Sequence, residues 1–318
     1  MTKLLSKAAV VALSAIVASP CLSAQTIWDG STDTEWEGDG SPGNPYLISS
    51  AAELAGLAKR TNANETFEGK YFRLTTDLWL SDTATPDEDK PLWNPIGMSN
   101  INNDDPEQNP GGFWSEDFWF KGNFDGDGHT IHNLWYAHDS EFVDNFDDPF
   151  NDGTFDFTGW SKSLFGNIEN ATITNLKLEN ANIQSVLQGA ALVCVAKNST
   201  ITDIAVDGLI MCGTSEREGG AAGGIVAEAE GTTFERCSSA ASVRSVSGAG
   251  GLAAQLTSCT VKDCVSTGRV ASMRGAGGLA GFVLSGSEIT DSRPRGRVLR
   301  HCRGSPQKPE FRRPDIFL

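Results

Sequence analysis

Between Leu164 and Val298 the chain repeats itself, and that repeat limits the fold more than any other feature. Phe165 is followed by Leu192 after 27 residues, by Ile225 after a further 33, and by Leu252 and Leu279 at intervals of 27, each opening a short apolar run. The glycine pairs Gly223/Gly224, Gly250/Gly251 and Gly277/Gly278 recur at the same 27. A second column holds Ile173, Ile201, Phe234, Val261 and Ile289, and a third holds Leu176, Ile204, Cys237, Cys264 and Ser292. A unit of this length cannot bury its apolar face alone, so copies must stack into a solenoid.

The repeats consist of short strands, glycine-rich corners and small or β-branched core residues, with Asn or Asp near the bends, which predicts an all-β parallel β-helix of about 27 residues per coil. A leucine-rich repeat is the competing reading, because its period overlaps. The later repeats TFERCSSAASV and TVKDCVSTGRV lack its leucines, and no helical pattern separates the strands. The one strong helix signal lies earlier. Ser50 and Glu53 form a capping box ahead of a stripe of Ala51, Leu54, Leu57, Ala58 and Thr61, an amphipathic helix suited to cover the first coil.

Four regions follow. Residues 1–24 carry Lys3 and Lys7, an apolar run from Ala8 to Ala18, Pro20 and small residues at Ser23 and Ala24, the pattern of a secretory signal peptide; the run is too short to span a bilayer. Residues 25–163 form an N-terminal cap and irregular coils with long polar loops. Residues 164–298 are the regular repeats. Residues 299–318 are basic and aperiodic, the mark of a truncated or frame-shifted end or of a functional basic tail. No later stretch is long and apolar enough for a membrane span. Over residues 25–292 there are 15 basic and 39 acidic residues, a net −24, which repels phosphate backbones and argues against nucleic acid.

One early segment aligns with the repeats. Thr130-Ile131-His132-Asn133-Leu134 matches Thr172 to Leu176, which makes it a coil with an acidic, aromatic insertion and sets Trp135 outward at the level of Lys177. The same alignment puts Thr130 in an outward column with Thr172, Thr200, Thr233 and Thr260, read as structural because Thr suits strands. Six cysteines follow the leader. Cys237 and Cys264 share one core column, which favours a ladder of buried thiols over a disulfide.

At GGLAA, GGLAG and LFGNI, with NPYLIS, WNPIG and FDGDGHTIHNL upstream, the chain resembles the GLUG-motif proteins, secreted or surface-attached bacterial proteins whose repeats also accompany immunoglobulin A metallopeptidases. The resemblance spans roughly Trp36 to Val298. It implies a right-handed β-helix at the cell surface or in the envelope. The zinc motif HExxH of those peptidases is absent, since none of His129, His132, His138 and His301 is followed by Glu.

All eight tryptophans precede the regular repeats. Trp114, Trp119 and Trp135 are the candidate ligand-binding residues, an aromatic platform for a glycan or a host surface protein, against the alternative that such rings pack the wide N-terminal coils. The acidic loop from Asp139 to Asp156 offers carboxylates to calcium, without EF-hand spacing. His129 and His132, three apart on a strand, should face opposite ways and make a poor metal pair. No nucleophile and base stand at motif spacing, and no cofactor or metal site is expected. The reading is a non-enzymatic adhesion or binding scaffold, with a polysaccharide-active enzyme using Asp125, Asp127 or the loop acids as its rival. The sequence leaves the oligomeric state open.

Overall fold

The computed structural model describes residues 26–82, 91–98, 118–136, 161–213 and 220–300. The expected signal peptide, Trp114, the Asp139–Asp156 loop and the tail from residue 301 lie outside them. Strands dominate, and every pairing between named strands is parallel. They form one sixteen-stranded sheet and two five-stranded sheets, stacked as a β-helix-like solenoid. The large sheet runs from Tyr46–Ile48 through Tyr71–Leu74, Asn123–Asp125, Thr172–Ser185, Thr200–Cys212, Thr233–Glu235 and Thr260–Lys262 to Glu288–Thr290. The five-stranded sheets stack Phe165–Glu169 under Val193–Lys197, Val226–Glu230, Ala253–Thr257 and Ala280–Val283, and Ser161–Lys162 under Gln188–Ala190, Ala221–Gly223, Gly248–Gly250 and Gly275–Gly277.

Parallel stacking in register puts like on like. Tyr46, Phe72, Phe124, Ile173, Ile201, Phe234, Val261 and Ile289 form one continuous column, most of it wholly buried. Phe72, Phe120, Phe124 and Phe165 meet at ring-centroid distances of 5.3–6.0 Å, within the range where aromatic pairs attract. Burying each such ring stabilises the fold by about 2–3 kcal/mol. Cys237 and Cys264 lie buried in the column that continues Leu176 and Ile204, and the five described cysteines are free thiols, as the ladder reading expected.

The corners explain the Asn and Asp residues. Asn175, Asp203, Arg236, Asp263 and Asp291 stack at one bend with φ between 50° and 56°, and Asn133 and Asn180 stack at another with φ of 58° and 56°. Short polar side chains tolerate this left-handed backbone better than most. Arginine does not, and Arg236 is held there by two bonds to Asp203, of 2.7 and 2.8 Å.

Three details of register correct the sequence reading. Thr130, Ile131 and His132 pair with Lys177, Leu178 and Glu179, and it is Asn123–Asp125 that pairs with Thr172–Thr174. Thr130 therefore leaves the threonine column, and Trp135 bridges to Asn182 instead of occupying the Lys177 position. In the regular repeats Val193 pairs with Phe165, so Leu164 is the residue that continues Leu192, Ile225, Leu252 and Leu279.

The expected helix, α1, spans Ala51–Thr61 with its capping box formed: Ser50 Oγ accepts from Glu53 N, and Glu53 Oε2 accepts from Ser50 N. The whole expected stripe is buried, joined by Ala55. On its other side the segment at Asp33 to Trp36 lies close, with Asp33 N donating to Ala52 O and Trp36 Nε1 to Glu53 O. Among the described residues no helix is long and apolar enough to cross a membrane.

Candidate functional site on the outer face of the N-terminal coils

The outward positions of the early coils carry aromatic, imidazole and carboxylate groups side by side. Leu78 and Trp79 pair with Ile131 and His132, which in turn pair with Leu178 and Glu179. Leu78, Ile131 and Leu178 point inward and are buried. Strand alternation then sends Trp79, His132 and Glu179 outward in one line. The Trp79 and His132 rings stack 4.6 Å apart and only 7° from parallel, and His132 Nδ1 lies 3.1 Å from Glu179 Oε2.

Beside them Asp77 Oδ1 accepts from Thr130 N at 2.9 Å and sits 3.1 Å from His129 Nδ1. Burial pushes the Asp77 carboxyl up, but the Thr130 N–H and then His129 outweigh it and hold the group below its ordinary value. His129 stands before the strand, in a turn where alternation does not apply, and the two rings meet different carboxylates, His129 that of Asp77 and His132 that of Glu179.

Along the adjoining corner runs a groove of about 520 Å³, lined by Asp127, Asn175, Lys177, Asp203, Arg236 and Ser238 among others. The Arg236 side chain is committed to Asp203 and to Glu235, and its hydrogen bonds keep the Asp203 carboxyl low. Asp125 is likewise engaged, accepting from Asn175 Nδ2 and from Asp127 N and lying 3.5 Å from Arg73. Lys177 is exposed, in the same line as Thr130, and carries an ammonium at the groove wall.

Of the three sequence candidates, Trp114 lies outside the described residues, and Trp119 and Trp135 have different surroundings. Trp119 is 6% exposed, packed with Met98 and Val195, and Lys197 Nζ lies 4.9 Å over its ring. Its area is spent on packing, the alternative already weighed for wide coils. Trp135 is half-buried, and its Nε1–H donates to Asn180 O at 3.1 Å. The bend at Asn133 and Asn180 separates it from the His132 and Glu179 rung. Sequence reasoning missed Trp79, Asp77, Glu179 and Lys177. The signal was present in the match of Asp77-Leu78-Trp79 to Thr130-Ile131-His132, an outward-inward-outward triplet.

Two buried thiols elsewhere are inert. Burial pushes the Cys194 and Cys212 thiols up to about 12, which keeps them protonated and poorly nucleophilic. Among the described residues no three His, Cys, Asp or Glu side chains are placed to hold a metal ion.

The chain is similar in fold to the crystal structure of a "putative immunoglobulin A1 protease" from Bacteroides ovatus, with a TM-score of 0.55 over 83% of this chain and 69% of that one, at 20% sequence identity. A likeness at that identity speaks for the fold alone. No protein-family model and no curated protein matches the chain.

Proposed function

We propose that the chain is a secreted or cell-surface scaffold of the GLUG-repeat kind, a right-handed β-helix with coils of about 27 residues, that binds a glycan or a host surface protein through the outer face of its N-terminal coils. Residues 1–24 direct its export, and α1 caps the first coil. The observation that carries the reading is the line Trp79, His132 and Glu179, with Lys177 and its groove on the same strand and Trp135 following across the next bend. Planar rings that keep a polar edge, set next to fixed hydrogen-bonding groups, suit a ligand with alternating apolar faces and hydroxyls. Proteolysis is not carried over from the neighbour's name, because this sequence has no HExxH.

Glycan and host-protein arrays test the proposal, with Trp135→Ala and Trp79→Ala as comparisons. A defined set of ligands that both substitutions weaken supports it. Binding indifferent to both removes this face from the account. Turnover of uronic polysaccharides that Asp127→Asn abolishes would favour the rival enzyme reading, in which the groove holds the substrate.

A further inference from the structure

Two charges lining the corner groove have no counterpart. Arg236 gives Nε and Nη2 to the Asp203 carboxylate and Nη1 to Glu235, and Asp125 is held by Asn175 and Arg73. The Lys177 ammonium and the Asp127 carboxylate are both exposed there. Among the described residues neither has an ion pair or a side-chain hydrogen bond, with the other or with any third group.

Short neighbours leave room between them. Lys177 stands in the outward column Thr130, Lys177, Ala205 and Ser238. Beyond the lysine the side chains shorten, and the groove of about 520 Å³ opens over Ala205 and Ser238 beside the Asp203 and Arg236 pair. That volume is within the range of small-ligand sites. Glu179, two residues along from Lys177 and on the same side of the strand, joins the groove to the line of His132 and Trp79.

The two free groups ask for different things. An ammonium offers three donors and no acceptor, whereas an ionised carboxylate only accepts. A ligand that satisfies both carries an anion at one end and hydroxyl donors at the other. A single carboxylate neutralises Lys177 while bringing less charge than a phosphate toward Asp127, Asp203 and Glu179. The net −24 of residues 25–292 draws no anion from a distance, so any preference for one comes from contact at Lys177.

We propose that the groove binds an acidic sugar, a glycan unit whose carboxylate meets Lys177 Nζ and whose hydroxyls donate to Asp127. The proposal rests on the glycan reading of this face and narrows it to carboxylated chains. Hydrogen bonds between charged partners are shorter and stronger than neutral ones, which makes the acid the selected feature.

The test uses the full chain and, as probes, a galacturonic acid tetramer, a hyaluronan tetramer and sialyllactose, each beside a form whose carboxyls are reduced to alcohols. In isothermal titration calorimetry at least one acid should bind saturably, about ten-fold or more tighter than its reduced form. Lys177→Gln, an exposed change checked for unaltered circular dichroism, should close that gap to within about two-fold. Asp127→Asn should weaken both forms alike, because the hydroxyl contact is common to them. No acid bound better than its reduced form, a gap that survives Lys177→Gln, or indifference to Asp127→Asn overturns the proposal. So does a hexaglutamate peptide that binds as tightly through Lys177, since the partner would then be an acidic protein segment. Binding of neutral glycans or of a host protein that Trp79→Ala weakens, without preference for acids, sinks this proposal and leaves the broader reading standing.

Discussion

Gly250 lies at a corner where the next strand passes so close that no side chain fits. A Cβ built there lands on the Ala253 carbonyl oxygen, 2.7 Å from its carbon and 2.8 Å from Gly281 N. Both neighbours are backbone, so no rotamer change relieves the clash. Gly250→Ala must displace the turn into Ala253–Thr257, which pairs with strands on both sides. Overpacking of this kind costs about 1–3 kcal/mol, and a shifted backbone places it at or above the upper figure. About 3 kcal/mol corresponds to a fall in melting temperature of about 6–12 °C for a domain of this size. Gly43→Ala is the control: a Cβ there meets nothing within 4 Å, and it should stay within about 0.5 kcal/mol. Thermal and urea unfolding followed by circular dichroism measures both. If Gly250→Ala also stays within about 0.5 kcal/mol of wild type, the glycine pairs are not steric corners and the reasoning fails.

Further outcomes follow from the same packing. Phe124→Ala should cost about 3–5 kcal/mol, because its ring is 1% exposed and joins the aromatic stack; urea unfolding measures it, and a loss under about 1 kcal/mol would mean that the column is mis-set. Ser50→Ala should cost about 1 kcal/mol and spare the fold, which tests the cap of α1 through melting temperature. Asp77 has a folded value below its ordinary 3.8, so its contribution is present above that value and lost as pH falls through the folded one. Asp77→Asn should therefore make stability less steep in pH below about 5, and parallel acid-unfolding curves would contradict the assignment. Cys194 and Cys212, raised to about 12, contribute below the unfolded thiol value and lose that contribution as pH rises past it. Peptide mapping should find both alkylated only after unfolding; rapid labelling of native protein at pH 8 would place them at the surface.

The regular half of this fold could be read from the sequence because stacking repeats each position. Ile173, Ile201, Phe234, Val261 and Ile289 sit in one core column since every coil meets the same neighbours above and below. The helix was equally legible, because its capping box and stripe are local. The early coils were not. The coil through Thr172–Ser185 turns twice through an apolar residue, a polar one and a left-handed Asn, at Ile173-Thr174-Asn175 and again at Leu178-Glu179-Asn180. The short match of Ile131-His132-Asn133 fits either corner; the sequence alignment sets it on the first, and the structure uses the second. That slip concealed the line of Trp79, His132 and Glu179, since it depends on which corner His132 precedes. Trp119 illustrates a different limit. Nothing in the chain around it distinguishes a ring that fills space against Val195 from one that meets a ligand.

The central claim is the stacking register across the long insertions, and a distance measurement between nitroxide labels tests it directly. Arg73 pairs with Asp125, Asp125 with Thr174 and Thr174 with Thr202, so labels at Arg73→Cys and Thr202→Cys span three rungs. With Cys302 replaced by serine and the other thiols of residues 26–300 buried, pulsed dipolar spectroscopy should give one narrow distribution around a backbone separation of about 14 Å. A distribution centred beyond about 30 Å, or a broad one without a short component, would mean that the early coils do not stack on the repeats in this register.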